Sequence, residues 1–297
     1  MAHHQQLVVI DGTALLFRAF FGGASGRDED GVDIGAVRAV ARRLVDHQVS
    51  QPSTHVAIVY DAGKRTFRND LAPSYKANRG DPPPALVPQF SRVQAVSRAL
   101  GMRSFMVPGF EADDLAATLA RLGREAGLPV RLLSVDKDLA QLVTDDAPPV
   151  LQEDPWTGQG WDAAGVVERL GVTPDKVVAL QSLCGDSTDN VPGVKGVGMK
   201  TAGALLQHFD GLDDLFDGLD EVAGLPIRGA RTLGAKLAAG QDAAYATRAL
   251  VELRADVPMG DGDIVASCRF EGVADLAPLE AIRIDGMARR LDRAVVP

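Results

Sequence analysis

Short, unbroken apolar runs alternate with stretches of helical periodicity along the first half of the chain. LVVID (7–11), HVAIVYD (55–61) and VRLLSVD (130–136) carry no polar alternation, the pattern of strands buried on both faces. Between and after them, VRAVARRLVDH (37–47), FSRVQAVSRALG (90–101) and DDLAATLARLGREAG (113–127) repeat apolar residues at helical spacing. The second ends on a glycine suited to a helix C-terminus, and the third opens with acids and closes on glycine. This order predicts an α/β fold: a parallel central sheet flanked by helices and joined by right-handed crossovers.

After about residue 170 the strand signal stops. TPDKVVALQSLCG, KTAGALLQHF and RTLGAKLAAG predict helices joined by Gly/Pro-rich turns, a second and helical lobe. The expected division is an α/β domain over 1–170, a helical lobe over 171–256, and a segment 257–297 to which the pattern assigns no role. The Gly/Asp-rich stretch 22–33 is expected to be a mobile loop, and RGDPPPALVP (79–88) an extended link into a helix.

Composition adds a class. Apolar residues are 46% and charged residues 24%, an ordinary globular balance. No apolar run approaches the roughly 20 residues of a membrane span, so no membrane partner is expected. MAHHQQLVVIDG has no basic region ahead of an apolar one, so no export signal is expected and a cytoplasmic setting follows. Cys184 and Cys268 are too few for a disulfide framework or a zinc knuckle. His3 and His4 are expected to be surface residues, not ligands. The net charge of −9 argues against a general nucleic-acid binder. Residues 63–103 run the other way, with Lys64, Arg65, Arg68, Lys76, Arg79, Arg92, Arg98 and Arg103 against Asp70 and Asp81. A lone charge run is usually a solvated helix face. Bases in one segment and acids gathered elsewhere point instead to metal-assisted work on a polyanion.

Each predicted strand ends in aspartate: Asp11, Asp61 and Asp136. A single such residue is usually a turn former or helix cap. Three of them lie on one rim, the carboxyl edge where open parallel sheets bind ligands. Asp138 follows Asp136 at i+2, and an extended chain points both the same way. Glu111 and Asp114 are i, i+3 neighbours with Asp113 between them, and Asp186 and Asp189 share that spacing. Such pairs are favoured at helix starts by the macrodipole alone. Their number argues for more, because nine carboxylates on one rim could not stay ionised without counter-cations. The expected cations are hard ions with oxygen ligands, Mg²⁺ or Mn²⁺, two or more per site. A pair of them about 3.5–4 Å apart suits phosphoryl displacement.

Two nucleotide readings fail. VVIDGT resembles the haloacid-dehalogenase signature, but the position of its nucleophile is Val9. GVGMKT is not a phosphate loop, because Met199 separates Gly198 from Lys200. GVKGVGMKTAGALL fits a helix-hairpin-helix instead. Gly193, Gly196 and Gly198 let backbone approach a phosphate, the next helix presents its first N–H groups, and Lys195 and Lys200 add charge. Such a module grips the sugar-phosphate backbone without reading bases.

VVIDGTALLFRAF, FRNDLAPSYKANR, FEADDLAATLAR, SVDKDLAQLV and GDSTDNVPGVKGVGMKTAGALL together resemble the 5′-nuclease (flap endonuclease) family, in order from about residue 7 to 255. The likeness is greatest to the 5′–3′ exonuclease domain at the front of bacterial DNA polymerase I. No polymerase or proofreading domain follows, so a stand-alone nuclease or an excised fragment is expected. The resemblance implies a PIN/resolvase-like α/β domain with a helical lobe carrying the helix-hairpin-helix at 185–202. It implies a first metal site of Asp11, Asp61, Glu111 and Asp113, and a second of Asp136, Asp138, Asp186 and Asp189, with Asp114 supporting the centre. Tyr75, Lys76 and Arg79 match arch residues at the frayed 5′ end and scissile phosphate, and Arg68 a basic position upstream. Asp11, Asp136, Lys76 and Arg79 are the expected catalytic residues. The expected DNA contacts are Arg68, Tyr75, Lys76, Arg79, Gly193, Lys195, Gly196, Gly198, Lys200 and Thr201. The hairpin of the family can hold K⁺.

The expected activity is two-metal hydrolysis of DNA at 5′ flaps, nicks and frayed ends, leaving 5′-phosphate and 3′-hydroxyl, by a nucleoid-associated monomer in replication and repair. The alternatives are a non-catalytic binder of branched DNA and an RNase acting on RNA–DNA hybrids. Nothing in the residues explains Met199, where relatives often carry glutamate.

Overall fold

The computed structural model describes residues 4–294; His3 lies outside them, and His4 is exposed at the start of the first strand. The strands are β1 (His4–Asp11), β2 (Ser53–Val59), β3 (Arg103–Phe105), β4 (Val130–Leu133), β5 (Val150–Glu153) and β6 (Gly160–Trp161). They form one sheet in the order β3-β2-β1-β4-β5-β6, parallel except for β6, which runs antiparallel to β5. The α/β expectation holds. Strand order reverses between β1 and β4, and a crevice at the carboxyl ends of such a pair is where open sheets take ligands.

Burial on both faces explains the missing polar alternation. Val8, Ile10, Val56 and Ile58 face one core, with α1 (Gly12–Phe21), α2 (Gly35–Ser50) and α4 (Val87–Ala99). Leu7, Val9, Ala57 and Val59 face the other, with α5 (Ala112–Glu125). Between α2 and α4 lies one further short helix, α3 (Phe67–Leu71). The loop 22–33 is closed by an antiparallel bridge between Arg27 and Asp33, and the Asp28 carboxylate accepts the N–H groups of Asp30 and Val32.

The last helix of the α/β part, α6 (Ala163–Leu170), packs with those of the helical part, α7 (Val177–Cys184), α8 (Met199–Leu205), α9 (Leu212–Asp217) and α10 (Ala230–Val251), around a separate apolar core. The last of these is twice the expected length. Beyond Gly240 the apolar period lapses, yet QDAAYATRAL is rich in helix formers, so the helix continues. Gly240 lets α10 close on the hairpin: a Cβ there would lie 2.7 Å from Val194 Cγ1.

The segment without an expected role is built into the α/β core. Val56 N–H donates to Cys268 O and Phe270 N–H to Thr54 O, so residues 268–270 extend the sheet beside β2. Of the helices here, α11 (Ile264–Ser267) packs on α5, α12 (Ala277–Ala281) on α4 and α13 (Asp285–Ala294) on α2. Phe270, Leu279, Ile282, Ile284 and Leu291 are buried against α2 and α4. No helix among the described residues is long and apolar enough to cross a membrane.

One buried group makes stability pH-dependent. His47 is 7% exposed, and its Nε2 has no hydrogen-bond partner though Glu153 Oε1 lies 4.0 Å away. Burial, with Arg131 and Arg43 nearby, lowers its pKa from 6.5 to about 4. Below pH 6.5 the unfolded chain therefore takes up a proton that the folded chain refuses, and stability falls as the pH drops towards 4. The loss attributable to His47 is about 3 kcal/mol over that window. Urea melts at pH 7 and pH 4 should show the wild type losing that much more than His47→Gln. Equal losses would assign the acid sensitivity to other groups.

Candidate active site

The carboxyl ends of β1, β2 and β4 carry the three strand-end aspartates, and each is also bound to backbone. Asp11 caps α1, accepting from Ala14 N at 2.9 Å. Asp61 accepts from Ala112 N at 2.8 Å, and its own N–H donates to Thr13 Oγ1. Asp136 accepts from Asp138 N at 3.0 Å. Capping and gathering on one rim are therefore the same fact: the caps fix where the carboxylates point. Glu111 and Asp113 arrive on the first turn of α5, and Asp186 and Asp189 on the loop after α7. Asp138, Asp186 and Asp189 each offer an oxygen within 4.8 Å of the other two.

The rest is joined by electrostatics. Burial, opposed by the Ala14 bond and reinforced by the charges of Asp61 and Asp136, pushes Asp11 up to about 7. Asp113 is raised well above its ordinary value by burial and by Asp136, Asp11 and Asp138. Burial and then Asp136 push Asp138 up to about 6, against Lys137 and Gln181, with Asp189 adding to the rise. Asp61, open to solvent on one side and crowded on the others, is raised by that crowding and by Glu111. Asp11, Asp61, Glu111, Asp113, Asp136, Asp138, Asp186 and Asp189 thus form one acidic field.

Four cations answer it, one of them the buried Arg68, whose Nη1 lies 3.2 Å from Glu111 Oε2. Lys76 Nζ lies 2.5 Å from Glu111 Oε1 and 3.6 Å from Asp189 Oδ2, and Arg79 pairs with Asp189. Lys137 pairs with Asp186 and lies 3.7 Å from Asp138; its hydrogen bond keeps the Asp186 carboxyl low against burial. Lys76 holds a left-handed φ of +54°, strained for a lysine, and its N–H donates to Asp189 O at 2.9 Å. Asn190 Nδ2 bonds Ser74 O at 2.7 Å and Asn78 Nδ2 bonds Ser187 O at 3.1 Å, so the 74–79 turn is stitched to the 186–190 loop.

The structure corrects four expected roles. Arg68 is not on a DNA-facing surface: at 1% exposure it holds both oxygens of Asp114, at 2.7 and 2.8 Å, and the carbonyl of Leu250. Asp114 is fully buried, with Arg68 and the N–H groups of Glu111 and Arg254 on its oxygens, so it has no free ligand face. Tyr75, expected to stack on a frayed base, is 5% exposed among Val191, Leu250 and Val251, and its hydroxyl donates to Glu111 Oε2 at 2.9 Å. Gly193, expected on a phosphate, is buried at φ +59°, where a Cβ would lie 2.3 Å from Gly185 N. It closes the loop that carries Asp186 and Asp189. Gly193→Ala should therefore destabilise the fold by about 1–3 kcal/mol, read by thermal unfolding; an unchanged midpoint would show the loop adapts freely.

The basic segment 63–103 also changes character. Most of its cations have carboxylate partners: Lys64 with Asp81, Arg65 with Asp70, Arg68 with Asp114, Lys76 with Glu111, Arg79 with Asp189 and Arg92 with Asp28. The exposed pairs Lys64–Asp81 and Arg65–Asp70 are worth little and open readily. In the hairpin Lys195, Gly196, Gly198 and Lys200 are exposed and Thr201 is half-buried. The sequence reading missed Lys137, Ser134 and Gln181. Ser134 Oγ donates to Asp11 Oδ2 at 3.3 Å, and Gln181 Nε2 donates to Asp138. Only Lys137, lying between two aspartates, carried a signal.

Residues 6–171 match the 5′–3′ exonuclease N-terminal resolvase-like domain, and residues 172–269 match the 5′–3′ exonuclease C-terminal SAM fold. The chain belongs to the 5′–3′ exonuclease family. The 5′–3′ exonuclease of Bacillus subtilis is 34% identical over 98% of this chain and 97% of its own length. DNA polymerase I of Rhizobium leguminosarum is 38% identical over 87% of this chain, which spans 25% of that longer relative. Among solved structures, T5 5′-exonuclease with bound zinc superposes with a TM-score of 0.66 at 22% identity, covering 98% of this chain and 99% of the other. The resolvase-like α/β domain with a helical companion is thereby borne out.

Proposed function

We propose that the chain is a divalent-metal-dependent, structure-specific 5′ nuclease acting on DNA flaps, nicks and frayed 5′ ends. The observation that carries this reading is the single field of eight carboxylates, from Asp11 to Asp189, at the strand-order reversal. The donors fit hard cations. All are carboxylate oxygens, and the Asp138, Asp186, Asp189 group includes no histidine or cysteine. Burial first, and then repulsion among the carboxylates, drives Asp11 up to about 7 and Asp138 up to about 6, a strain that bound cations would relieve. Asp11, Asp61, Glu111 and Asp113 would hold one ion, and Asp136, Asp138, Asp186 and Asp189 another. When bound, Mg²⁺ or Mn²⁺ supplies a lowered water pKa and charge compensation at the phosphate.

The chain's own residues do the rest. Lys76 and Arg79 hold Glu111 and Asp189 in the structure described and can turn to the non-bridging phosphate oxygens as their charge grows. Asp11 and Asp136, fixed by backbone caps, orient the reacting groups from the ends of the adjacent strands β1 and β4. Lys195 and Lys200, with the exposed glycines 196 and 198, grip duplex phosphates whatever the sequence. Their carbonyl-rich turn suits K⁺. Lys195→Ala with Lys200→Ala should weaken binding to every sequence alike and reduce the salt slope by about two. An unchanged slope would remove the hairpin from the interface. The proposed division is a nuclease domain to about residue 170, a helical lobe to about 256 and a final segment that braces the first; the chain acts as a cytoplasmic, nucleoid-associated monomer.

The test is a 5′-labelled flap substrate in DNA and RNA versions, with Mg²⁺, Mn²⁺ or EDTA. Labelled fragments ending in 3′-hydroxyl, lost in EDTA, are expected from the DNA flap, with 5′-phosphate left on the downstream strand. Binding without products at any metal concentration would make the protein a binder of branched DNA. Faster cleavage of the RNA version would move it to RNA–DNA hybrids.

A further inference from the structure

Two side chains outside the set of carboxylates hold the backbone on which the set is mounted. β4 ends at Leu133, and the next three residues carry Asp136 into the site. Their consecutive carbonyls are all captured by side chains. Gln152, fully buried on β5, donates through Nε2 to Ser134 O at 2.9 Å and to Asp136 O at 2.6 Å. Arg169, on α6, donates through Nη2 to the carbonyl between them, Val135 O, at 2.5 Å. It also donates through Nη1 to Gln152 Oε1 at 3.3 Å, joining the two side chains into one unit. Its guanidinium lies 4.5 Å over the Trp161 ring, which fixes the plane of the fork.

On the far side of the same turn, Ser134 Oγ accepts from Asp136 N at 3.2 Å and donates to Asp11 Oδ2. The turn is therefore held on both edges, by hydroxyl within the site and by amide and guanidinium behind it. Sheet pairing reaches no further than the first residue of the turn, where Ser134 N–H donates to Glu153 O at 3.1 Å, and leaves Val135 and Asp136 to the side chains.

We infer that Gln152 and Arg169, braced by Trp161, are positioning residues that pre-set the Ser134–Asp136 turn so that Asp136 and Asp138 meet one cation, and Asp11 its neighbour, in one geometry. The inference rests on the nuclease reading for its activity arm and on the donor set alone for its binding arm. The need is electrostatic: Asp136 and Asp138 repel each other, and a free turn would let them part. Groups that orient metal ligands in this way typically influence affinity or activity by about 10–100-fold.

The test uses the full chain with Arg169→Met, which keeps the stem and loses every donor, and Arg169→Lys, which keeps one. Gln152→Met is the buried counterpart, and Arg169 carries the test if that variant does not fold. Mn²⁺ binding is measured by calorimetry, flap cleavage against Mg²⁺ concentration, and DNA affinity in Ca²⁺. Expected for Arg169→Met is a Mn²⁺ Kd and a half-saturating Mg²⁺ concentration raised at least tenfold, with excess Mn²⁺ restoring much of kcat. DNA Kd in Ca²⁺ should stay within twofold, and Arg169→Lys should fall between. A lowered melting temperature with unchanged Mn²⁺ affinity would reduce the pair to structural support and overturn the inference. Cleavage failing in the wild type sinks the nuclease reading but leaves the Mn²⁺ comparison standing; no Mn²⁺ binding by the wild type would sink this one as well.

Discussion

Asp136→Asn combined with Asp138→Asn is expected to lower cleavage in Mg²⁺ by about a thousandfold or more, roughly 4 kcal/mol of barrier, while DNA binding in Ca²⁺ holds or tightens. The amides preserve shape: the side-chain oxygen at position 136 can still accept from the N–H of position 138, and the one at position 138 from Gln181. What they remove is two charges from a field in which burial, and then Asp136, push the Asp138 carboxyl up to about 6. Loss of those charges weakens cation binding and, separately, lessens repulsion of the DNA backbone. Chemistry and affinity should therefore move in opposite directions, read by single-turnover cleavage and by anisotropy titration. A double variant that still cuts at near the wild-type rate would show that these residues do not hold the ion.

Arg68→Met carries the second large effect, and it falls on stability. Arg68 and Asp114 form a bidentate pair at 1% and 0% side-chain exposure, tied to the end of α10 through Leu250 O. Removing the cation strands a buried carboxylate, at a cost of about 3–5 kcal/mol. For a chain of this size that is a fall on the order of 10 °C in melting temperature. Arg68→Met with Asp114→Leu should recover most of the loss, because neither charge is then left alone. Had Arg68 been a DNA contact, the single variant would melt normally and bind DNA weakly. That result, or a double variant no better than the single, would refute the buried-clamp role.

Much of this was readable in the chain. Unbroken apolar strands ending in Asp11, Asp61 and Asp136 announce a parallel sheet with acids on its carboxyl rim. That reading needs only local pattern and the rule for where open sheets bind. The short strands β3, β5 and β6 escaped because RSF, VLQE and GW, unlike VRLLSVD, form no apolar run. The C-terminal segment escaped because its apolar residues are scattered among turns and become a face only once α2 and α4 are beside them.

Residue types at a spacing say what chemistry is available; depth and partners say which residues perform it. Glu111, Asp113 and Asp114 stand in one run, yet Asp113 joins the acidic field and Asp114 turns inward to Arg68. A helix rotates successive side chains by about 100°, so neighbours in the chain face different surroundings. Arg68, Tyr75 and Lys76 share one expected role, contact with DNA, and end as a buried clamp, a buried hydroxyl donor and a site cation. The carboxylate field was a property of composition and strand order and was legible in the sequence alone. The fate of each cation was decided by packing, because burial makes a charge intolerable without a partner and only the folded chain determines which partner is in reach.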